Sequence, residues 1–350
     1  MRALTVTPGR AGSLAVTDVP DPPASDDLLL VDGLALGVCG TDREIADGEY
    51  GEAPDGHDRL VVGHESLGRV RRAPEGGDFR DGDLVVGVVR RPDPVPCGAC
   101  ARGQFDMCRN GRYPERGIKG LDGYASEQWS VEPDYAVRLD PALEDVGMLL
   151  EPTTVVVKAW EQVDAVGRRS WFEPRTALVT GAGPIGLLAA MIGVQRGLDV
   201  HVLDRVTDGP KPGLVADLGA TYHTESLPEL ADRVEPDIVI EATGASSLVL
   251  DAIAATGTYG VTCLTSVTSP GRRLRLDLGA VNRELVLEND AVIGSVNANL
   301  RHYREAADVL LSADLSWLLR LVTRRVPLER ATDAFTPRDD DVKVVVDLSA

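Results

Sequence analysis

Cys39 and His64 are the two side chains of this sequence that best suit metal chemistry. Zinc prefers sulfur, imidazole nitrogen and carboxylate oxygen ligands, and a catalytic zinc takes about three of them and leaves one position open. A lone cysteine is usually a core residue, and a lone histidine before an acid is usually exposed or capping. Their joint occurrence upstream of a nucleotide-binding motif favours a catalytic zinc site completed by one carboxylate.

The motif itself follows a short apolar run at 176–180 and precedes a helical pattern that reaches Gln195. Its residues are Gly181, Gly183, Pro184, Ile185 and Gly186. Glycines with this spacing let the backbone approach a pyrophosphate at a helix N-terminus, and Asp204 lies about 20 residues further on, where an acid binds ribose hydroxyls. The glycines alone are weak evidence, since methyltransferases use related loops. With the strand, helix and acid around them, they predict dinucleotide binding.

Three cysteines fall in one short segment, with the spacing Cys97-x2-Cys100-x7-Cys108. Thiols so close together are typical of a zinc-binding lobe, because unpaired thiols are reactive. The chain has five cysteines, an odd number that suits metal ligation in a reducing compartment better than a disulfide framework. Cys263 lies in an apolar run and is predicted to be a core residue.

Short apolar runs separated by Gly, Pro and Asp clusters fill the chain from Met1 to about Pro152. Since none has the length and the 3.6-residue period of a good helix, we predict a β-rich, partly barrel-like domain. A helix and linker at 160–173 lead into the strand at 176–180. The domain boundary is therefore expected between Pro152 and Pro174.

Strands and helices alternate after this boundary, which predicts an α/β fold with a doubly wound parallel (Rossmann) sheet covered on both faces. Strands are expected at 238–242, 260–264 and 291–294, a helix at 301–319 and a closing strand at 342–348.

Side chains that follow parallel strands line the ligand crevice of such sheets. The candidates for contact with nicotinamide and ribose are Thr265, Ser266, Val267, Ser295, Val296 and Asn297. Thr243 and Gly244 are explained equally well as an ordinary turn.

The net charge is −19, and only four of the 36 basic residues are lysine. An acidic surface repels nucleic acids and anionic lipids, so neither is an expected partner. The arginine bias has two explanations, a GC-rich genome or adaptation to high salt. The opening residues read as a strand without leader features, and no apolar run is long enough to span a bilayer, so we expect a cytoplasmic protein.

These motifs resemble the zinc-containing medium-chain alcohol dehydrogenase superfamily over essentially the whole chain. Two stretches, 113–124 and 289–297, further resemble the glucose dehydrogenase branch known from archaea. The resemblance implies a discontinuous GroES-like catalytic domain at 1–155 and 299–350, and a dinucleotide-binding Rossmann domain at 156–298.

The resemblance also implies roles for single residues. Cys39 and His64 match zinc positions, Glu65 matches a carboxylate at or beside the metal, and Glu151 matches the remaining ligand position. Thr41 matches the hydroxyl that removes the alcohol proton. Sugar-binding positions fall on Glu115, Glu151 and Asn297, with Glu115 at the sugar or the metal and Asn297 near the nicotinamide.

Two departures from the family pattern affect these roles. A relay histidine common in the superfamily is missing, because Arg43 follows Asp42. The structural zinc lobe of the superfamily has four cysteines, and its first position falls on Pro94, which has no ligand atom. Asp93 is then the candidate fourth ligand, and a metal-free lobe is the alternative.

The implied reaction is zinc-dependent oxidation of an aldose at C1 to the aldonolactone, with D-glucose expected before galactose or xylose. Hydride would pass to NAD or NADP; Asp204 favours NAD, whereas Arg205 could pair with the 2'-phosphate of NADP. The alternatives are a polyol, aminocyclitol or other alcohol dehydrogenase, and a nucleotide-binding protein without dehydrogenase activity. A homodimer or homotetramer is the expected assembly.

Overall fold

Two units divide the computed structural model, which describes residues 1–23, 25–268 and 275–349. The first unit comprises Met1–Glu151 and Ala298–Ala350, and the second comprises Pro152–Asn297. The first unit is therefore discontinuous, because the chain leaves it once and returns to it. Within the described ranges, no helix combines the length and the apolar composition needed to cross a bilayer.

The strands follow one another along the chain with these bounds. They are β1 (Arg2–Val6), β2 (Ala15–Asp18), β3 (Leu29–Val38), β4 (Leu60–Val61), β5 (Glu65–Arg72), β6 (Leu84–Gly87), β7 (Glu115–Arg116), β8 (Gly120–Leu121), β9 (Gln128–Val131), β10 (Ala136–Arg138), β11 (Thr176–Thr180), β12 (Asp199–Leu203), β13 (Thr221–His223), β14 (Ile238–Glu241), β15 (Val261–Leu264), β16 (Ala291–Gly294), β17 (Val322–Pro327) and β18 (Lys343–Asp347).

The α-helices are numbered in the same way. They are α1 (Gly40–Ala46), α2 (Leu150–Gly167), α3 (Pro184–Gln195), α4 (Pro210–Asp217), α5 (Leu227–Val234), α6 (Ser246–Ile253), α7 (Leu278–Glu288), α8 (Leu300–Leu311) and α9 (Leu315–Leu321). Turns of 3-10 helix occur at Cys100–Arg102, Phe105–Met107, Pro133–Tyr135, Pro141–Leu143, Gly147–Leu149 and Leu328–Phe335.

The first unit is built mainly of antiparallel strands around β3. Its larger sheet has the order β10-β6-β5-β3-β18-β17, and β9 also pairs with β3. Burial alternates along β3 up to Ala35, as expected for a strand with one face on a core, and every residue from Leu36 to Val38 is buried. That last stretch lies between β5 and β18, so the end of β3 is held firmly from both sides.

The second unit is a parallel sheet with the order β13-β12-β11-β14-β15-β16. Its order reverses between β11 and β14, the switch point at which sheets of this kind bind ligands. Helix α3 is buried from Gly186 to Gly193, which explains why its sequence is apolar on all sides. The predicted α/β fold with a Rossmann sheet is confirmed.

Three helix predictions were wrong in detail. Helix α1 lies in the part predicted to lack helices, and it is too short for a periodic pattern. Helix α2 begins at Leu150, ten residues before the predicted start. Pro152 does not prevent this, because it lies in the first turn of the helix, where the missing N–H of a proline costs little. The predicted helix at 301–319 is two helices, since Asp314 accepts a hydrogen bond from Ser316 N and starts α9.

Candidate functional site

Cys39 and His64 are held at the ends of two neighbouring strands of the first unit. Cys39 follows β3 and caps the N-terminus of α1, and His64 immediately precedes β5. The register of the two strands pairs Gly37 with Glu65. A Cβ at Gly37 would overlap the Glu65 carboxylate, so a glycine is needed where this carboxylate lies.

Cys39, His64 and Glu65, which we call the metal cluster, each place one donor atom within 4.8 Å of the other two. Cys39 Sγ and His64 Nε2 are 3.2 Å apart. His64 Nδ1 faces Asp42 Oδ1 at 3.3 Å, and Cys39 N donates to Asp42 Oδ2 at 2.9 Å. A carboxylate at the far nitrogen of an imidazole fixes its ring for metal binding. The donor set therefore fits zinc.

The electrostatics of the metal cluster follow from burial and close charges. Burial alone would lower the pKa of His64, but Cys39 and Asp42 raise it well above its ordinary value. Burial would raise the pKa of Asp42, yet His64 and the Cys39 amide hold it below its ordinary value. Burial raises the pKa of the Cys39 thiol. Zinc binding, which needs a thiolate and a neutral imidazole, must release protons here.

Lys343 engages the carboxylate of Glu65, a contact that no sequence pattern indicated. Its Nζ lies 2.7 Å from Oε1 and 2.6 Å from Oε2, and both side chains are almost fully buried. Removing one partner of such a pair leaves an uncompensated buried charge. Glu65 thus lies in the metal cluster with its charge balanced by Lys343.

Glu151 and Thr41 occupy the first turns of α2 and α1. Burial raises the pKa of Glu151 to about 7, His64 and Lys343 lower it, and Glu65 raises it. Glu151 therefore shares the electrostatic surroundings of the metal cluster, although its oxygens are not among the atoms grouped within 4.8 Å.

Glu115 lies outside the metal cluster and is paired with Arg90, another residue that the sequence did not single out. Arg90 Nε donates to Glu115 Oε1 at 3.0 Å, and both side chains are buried. The guanidinium also donates to Asp106 O at 3.1 Å and lies 3.6 Å from the centre of the Tyr113 ring. Arg90 therefore fixes the position of Glu115.

The three clustered thiols meet in space, with Cys97, Cys100 and Cys108 Sγ atoms all within 4.8 Å of one another. The hydrogen bond from Arg109 N lowers the pKa of Cys97 to about 6, which favours a thiolate. Asp93 is not part of this group; its oxygens accept from Val95 N at 2.8 Å and from Arg112 Nε at 3.3 Å. The structure thus brings together three of the four ligands proposed for this lobe.

The glycine motif of the second unit forms the turn between β11 and α3. Gly181 has a φ of +94°, and a Cβ there would lie 2.9 Å from Thr243 Cγ2. A Cβ at Gly186 would overlap the carbonyl oxygen of Gly181, whereas a Cβ at Gly183 would meet nothing within 4 Å. Pro184 and Ile185 begin α3 between these glycines. Gly186 therefore allows α3 to pack closely against the turn at Gly181, and Gly183 leaves open space at the N-terminus of α3.

Asp204 follows β12 and is bonded to this turn. Its Oδ2 accepts from Ala182 N at 2.7 Å and from Lys211 Nζ at 3.1 Å, and its Oδ1 accepts from Val206 N at 3.1 Å. Arg205 beside it is exposed. The cation bonded to Asp204 is thus Lys211, a residue that belongs to none of the sequence motifs.

The predicted nicotinamide contacts follow β15 and β16. Thr265 Oγ1 donates to Glu241 O at 2.7 Å, so this hydroxyl is used within the sheet. Ser295 Oγ is buried and has no hydrogen-bond partner in the described residues. Ser266 is partly buried, and Val267 and Val296 are exposed. Asn297 has a φ of +61°, a left-handed conformation that asparagine tolerates better than most residues.

Two family models match the chain. One, described as "Alcohol dehydrogenase GroES-like domain", matches residues 25–141, and the other, "Glucose dehydrogenase C-terminus", matches residues 144–348. The chain is 40% identical to a glucose 1-dehydrogenase of Methanocella arvoryzae, with 100% of each chain covered. It is 42% identical to a glucose 1-dehydrogenase of Thermoproteus tenax, with 99% of each covered.

A solved structure resembles the whole chain as well. It is the Haloferax mediterranei glucose dehydrogenase in complex with NADP, Zn and gluconolactone, which superimposes with a TM-score of 0.92 at 33% identity and 100% coverage of both chains. The chain therefore belongs to the glucose dehydrogenase branch of the zinc-containing medium-chain alcohol dehydrogenase superfamily.

Proposed function

We propose that this protein is a zinc-dependent glucose 1-dehydrogenase, which oxidises D-glucose at C1 to the aldonolactone and transfers hydride to NAD or NADP. The observation that carries the proposal is the contact of Cys39 Sγ with His64 Nε2, backed by Asp42. Family membership supports it, because the relatives share this name over their full length.

Zinc, when bound by Cys39, His64 and a carboxylate, acts as a Lewis acid that lowers the pKa of a hydroxyl. Thr41 would relay the hydroxyl proton, passing its own hydroxyl proton on toward solvent as it accepts that of the substrate, and a bound nicotinamide would accept the hydrogen on C1 with both bonding electrons. Glu115 and Glu151 accept hydrogen bonds from the remaining sugar hydroxyls. Such carboxylates suit a polyhydroxylated substrate better than an apolar alcohol.

The nucleotide is proposed to bind at the glycine turn 181–186, with Thr265–Val267 and Ser295–Asn297 beside the nicotinamide. We expect activity with both nucleotides and a preference for NAD, because Asp204 Oδ1 can accept a hydrogen bond from the 2'-hydroxyl that only NAD carries. A preference for NADP of about tenfold or more in kcat/KM would contradict this preference.

Initial rates for glucose, galactose, xylose, a polyol and an aminocyclitol, each with NAD and NADP, test the activity. Glucose should give the highest kcat/KM, and Cys39→Ser should lower turnover by orders of magnitude. Cys263→Ser is the matched control, since Cys263 is buried in β15 of the other unit. A faster polyol or aminocyclitol would contradict the proposed substrate, and undiminished rates in zinc-free Cys39→Ser protein would contradict the zinc role.

A second zinc ion is proposed at Cys97, Cys100 and Cys108, with Asp93 as the candidate fourth ligand. Asp93 would have to release Arg112 or Val95 N to take part. We expect two zinc ions per chain, one after Cys100→Ser, and an unchanged count after Cys263→Ser, measured by elemental analysis. One zinc ion in the unaltered protein would support the metal-free lobe instead.

We also propose that two copies of the chain associate through the β16 edge of the parallel sheet. Among the described strands β16 pairs only with β15, and Leu278, Val286 and Leu287 on the adjacent α7 are exposed. Such an edge and apolar surface are typical of an interface. Leu287→Asp should dissociate the dimer in light scattering, and Leu311→Asp on α8 should not; a monomeric unaltered protein would refute the proposal.

Since the five cysteines are all free, we place the protein in the reducing cytoplasm.

A further inference from the structure

The pair formed by Asp204 and Lys211 changes what the acid after β12 can do. Lys211 lies in the first turn of α4, and its ammonium is 3.1 Å from Asp204 Oδ2. Both side chains are largely buried, with 17% of Lys211 and 10% of Asp204 exposed. The carboxylate also accepts from Ala182 N of the glycine turn, so its position is fixed from two directions.

An acid at this place normally discriminates between the two nucleotides. It accepts a hydrogen bond from the ribose 2'-hydroxyl of NAD, and its charge repels the 2'-phosphate of NADP. The repulsion depends on a net negative charge, and the Lys211 ammonium cancels that charge at contact distance. With the exposed Arg205 next to it in the chain, Asp204 does not present an uncompensated negative charge.

We propose that Lys211 sets the nucleotide specificity of this protein by neutralising Asp204, so that a 2'-phosphate is tolerated beside an acid that would otherwise exclude it. The inference rests on the proposed function for the nucleotide site alone and is independent of the substrate. Lys211 acts through Asp204 and is in that sense a positioning residue.

Binding of NAD is preserved by the same arrangement. Among the described residues, Asp204 Oδ1 accepts only from Val206 N. A carboxylate oxygen has two lone pairs, so one remains for a ribose hydroxyl. Lys211 is bonded to the other oxygen, Oδ2, and does not compete for that lone pair. Loss of the ammonium should therefore affect NADP much more than NAD.

The test is a mutant cycle read out by nucleotide affinity, measured by titration calorimetry with NAD and NADP in the absence of sugar. Lys211→Met should weaken NADP binding by about tenfold or more and NAD binding by less than about threefold. Lys211→Arg, which keeps the positive charge, should retain most of the NADP affinity of the unaltered protein. Asp204→Asn should strengthen NADP binding, and adding Lys211→Met to Asp204→Asn should cost less than about threefold, because no carboxylate is left to neutralise.

The matched control is Arg196→Met, which removes one cation from the same unit at the opposite end of α3, where it pairs with Asp164. It should leave the ratio of the two affinities unchanged. Equal losses for both nucleotides in Lys211→Met, or an undiminished loss in the Asp204→Asn background, would overturn the inference. Wild-type protein that binds neither nucleotide would overturn the nucleotide site itself, whereas binding without glucose oxidation would contradict the proposed substrate only.

Discussion

At the scale of single residues, the carboxylate of Asp42 faces the ring of His64, and we expect it to orient this ring for a metal. Replacing Asp42 with Asn removes the charge that faces Nδ1 at 3.3 Å and weakens the fixation of the ring. We expect Asp42→Asn to lower zinc affinity by about 10- to 100-fold, measured by competition with a chromogenic chelator.

Asp47→Asn is the control for this substitution. Asp47 is exposed at the other end of the same helix, α1, so zinc affinity should stay as in the unaltered protein. An Asp42→Asn protein that competes with the chelator as strongly as the Asp47→Asn protein would show that Asp42 does not support the metal.

The site residues that could be identified from the sequence are those whose side chains are common metal ligands. Cys39 and His64 were of this kind, and the structure places their donor atoms 3.2 Å apart. Lys343 and Arg90 could not be identified, because a lysine in a strand and an arginine after an apolar run are ordinary. Their importance comes from burial opposite Glu65 and Glu115, which depends on strand register rather than on local sequence.

At the scale of elements, two glycines of the β11–α3 turn have different roles, one in nucleotide binding and one in packing. Gly183→Ala should leave stability within about 1 kcal/mol, because a Cβ there meets nothing within 4 Å. The methyl group should nevertheless weaken nucleotide binding, since it fills the space through which a pyrophosphate approaches the helix. Gly186→Ala should destabilise the second unit by about 1–3 kcal/mol, because its Cβ overlaps a backbone carbonyl.

Urea unfolding and nucleotide titration of both variants distinguish the two tasks. A Gly183→Ala protein with unchanged nucleotide affinity would contradict the role given to that glycine. A Gly186→Ala protein as stable as the unaltered chain would contradict the packing argument.

Asp290 follows the end of α7, where a negative charge opposes the helix dipole. Burial, together with Glu288, raises the pKa of Asp290 to about 6. Because the folded pKa exceeds the unfolded one, the ionised carboxylate destabilises the fold above about pH 6, and this cost disappears toward pH 4. Asp290→Asn should therefore raise the urea midpoint at about pH 8 and change it little at about pH 4.

The side-chain amide introduced by this substitution would still accept from Gly260 N, as the Asp290 carboxylate does at 3.2 Å. Asp251→Asn, at an exposed position on α6, should show no such dependence on pH. An equal gain for Asp290→Asn at both pH values would contradict the assigned cause.

Element boundaries were predictable where period and length were strong, as for β11, α3 and β16. They were missed where a single capping side chain decides. Asp314 divides one apolar pattern into α8 and α9 through its bond to Ser316 N, and Pro152 reads as a break in sequence but lies inside the first turn of α2. Helix caps and first turns depend on one or two contacts, and the spacing of apolar residues in the sequence does not reveal such contacts.

At the scale of the whole molecule, the net charge of −19 opposes the compact state. Raising NaCl from about 0.1 M to about 1 M shortens the Debye length from about 10 Å to about 3 Å. We therefore expect the thermal midpoint to rise over this range. A midpoint that falls or stays constant would favour genomic composition over salt adaptation as the origin of the acidic, arginine-rich surface.

The ion pair of Glu65 with Lys343 joins residues 278 positions apart in the chain. At a synthesis rate of about 5–20 residues per second, Glu65 leaves the ribosome roughly 15 to 60 s before its partner. Until then the sheet also lacks β18 beside β3. A nascent chain can complete its parallel sheet first, but the buried carboxylate of Glu65 gains its ammonium partner only after β18 has been synthesised.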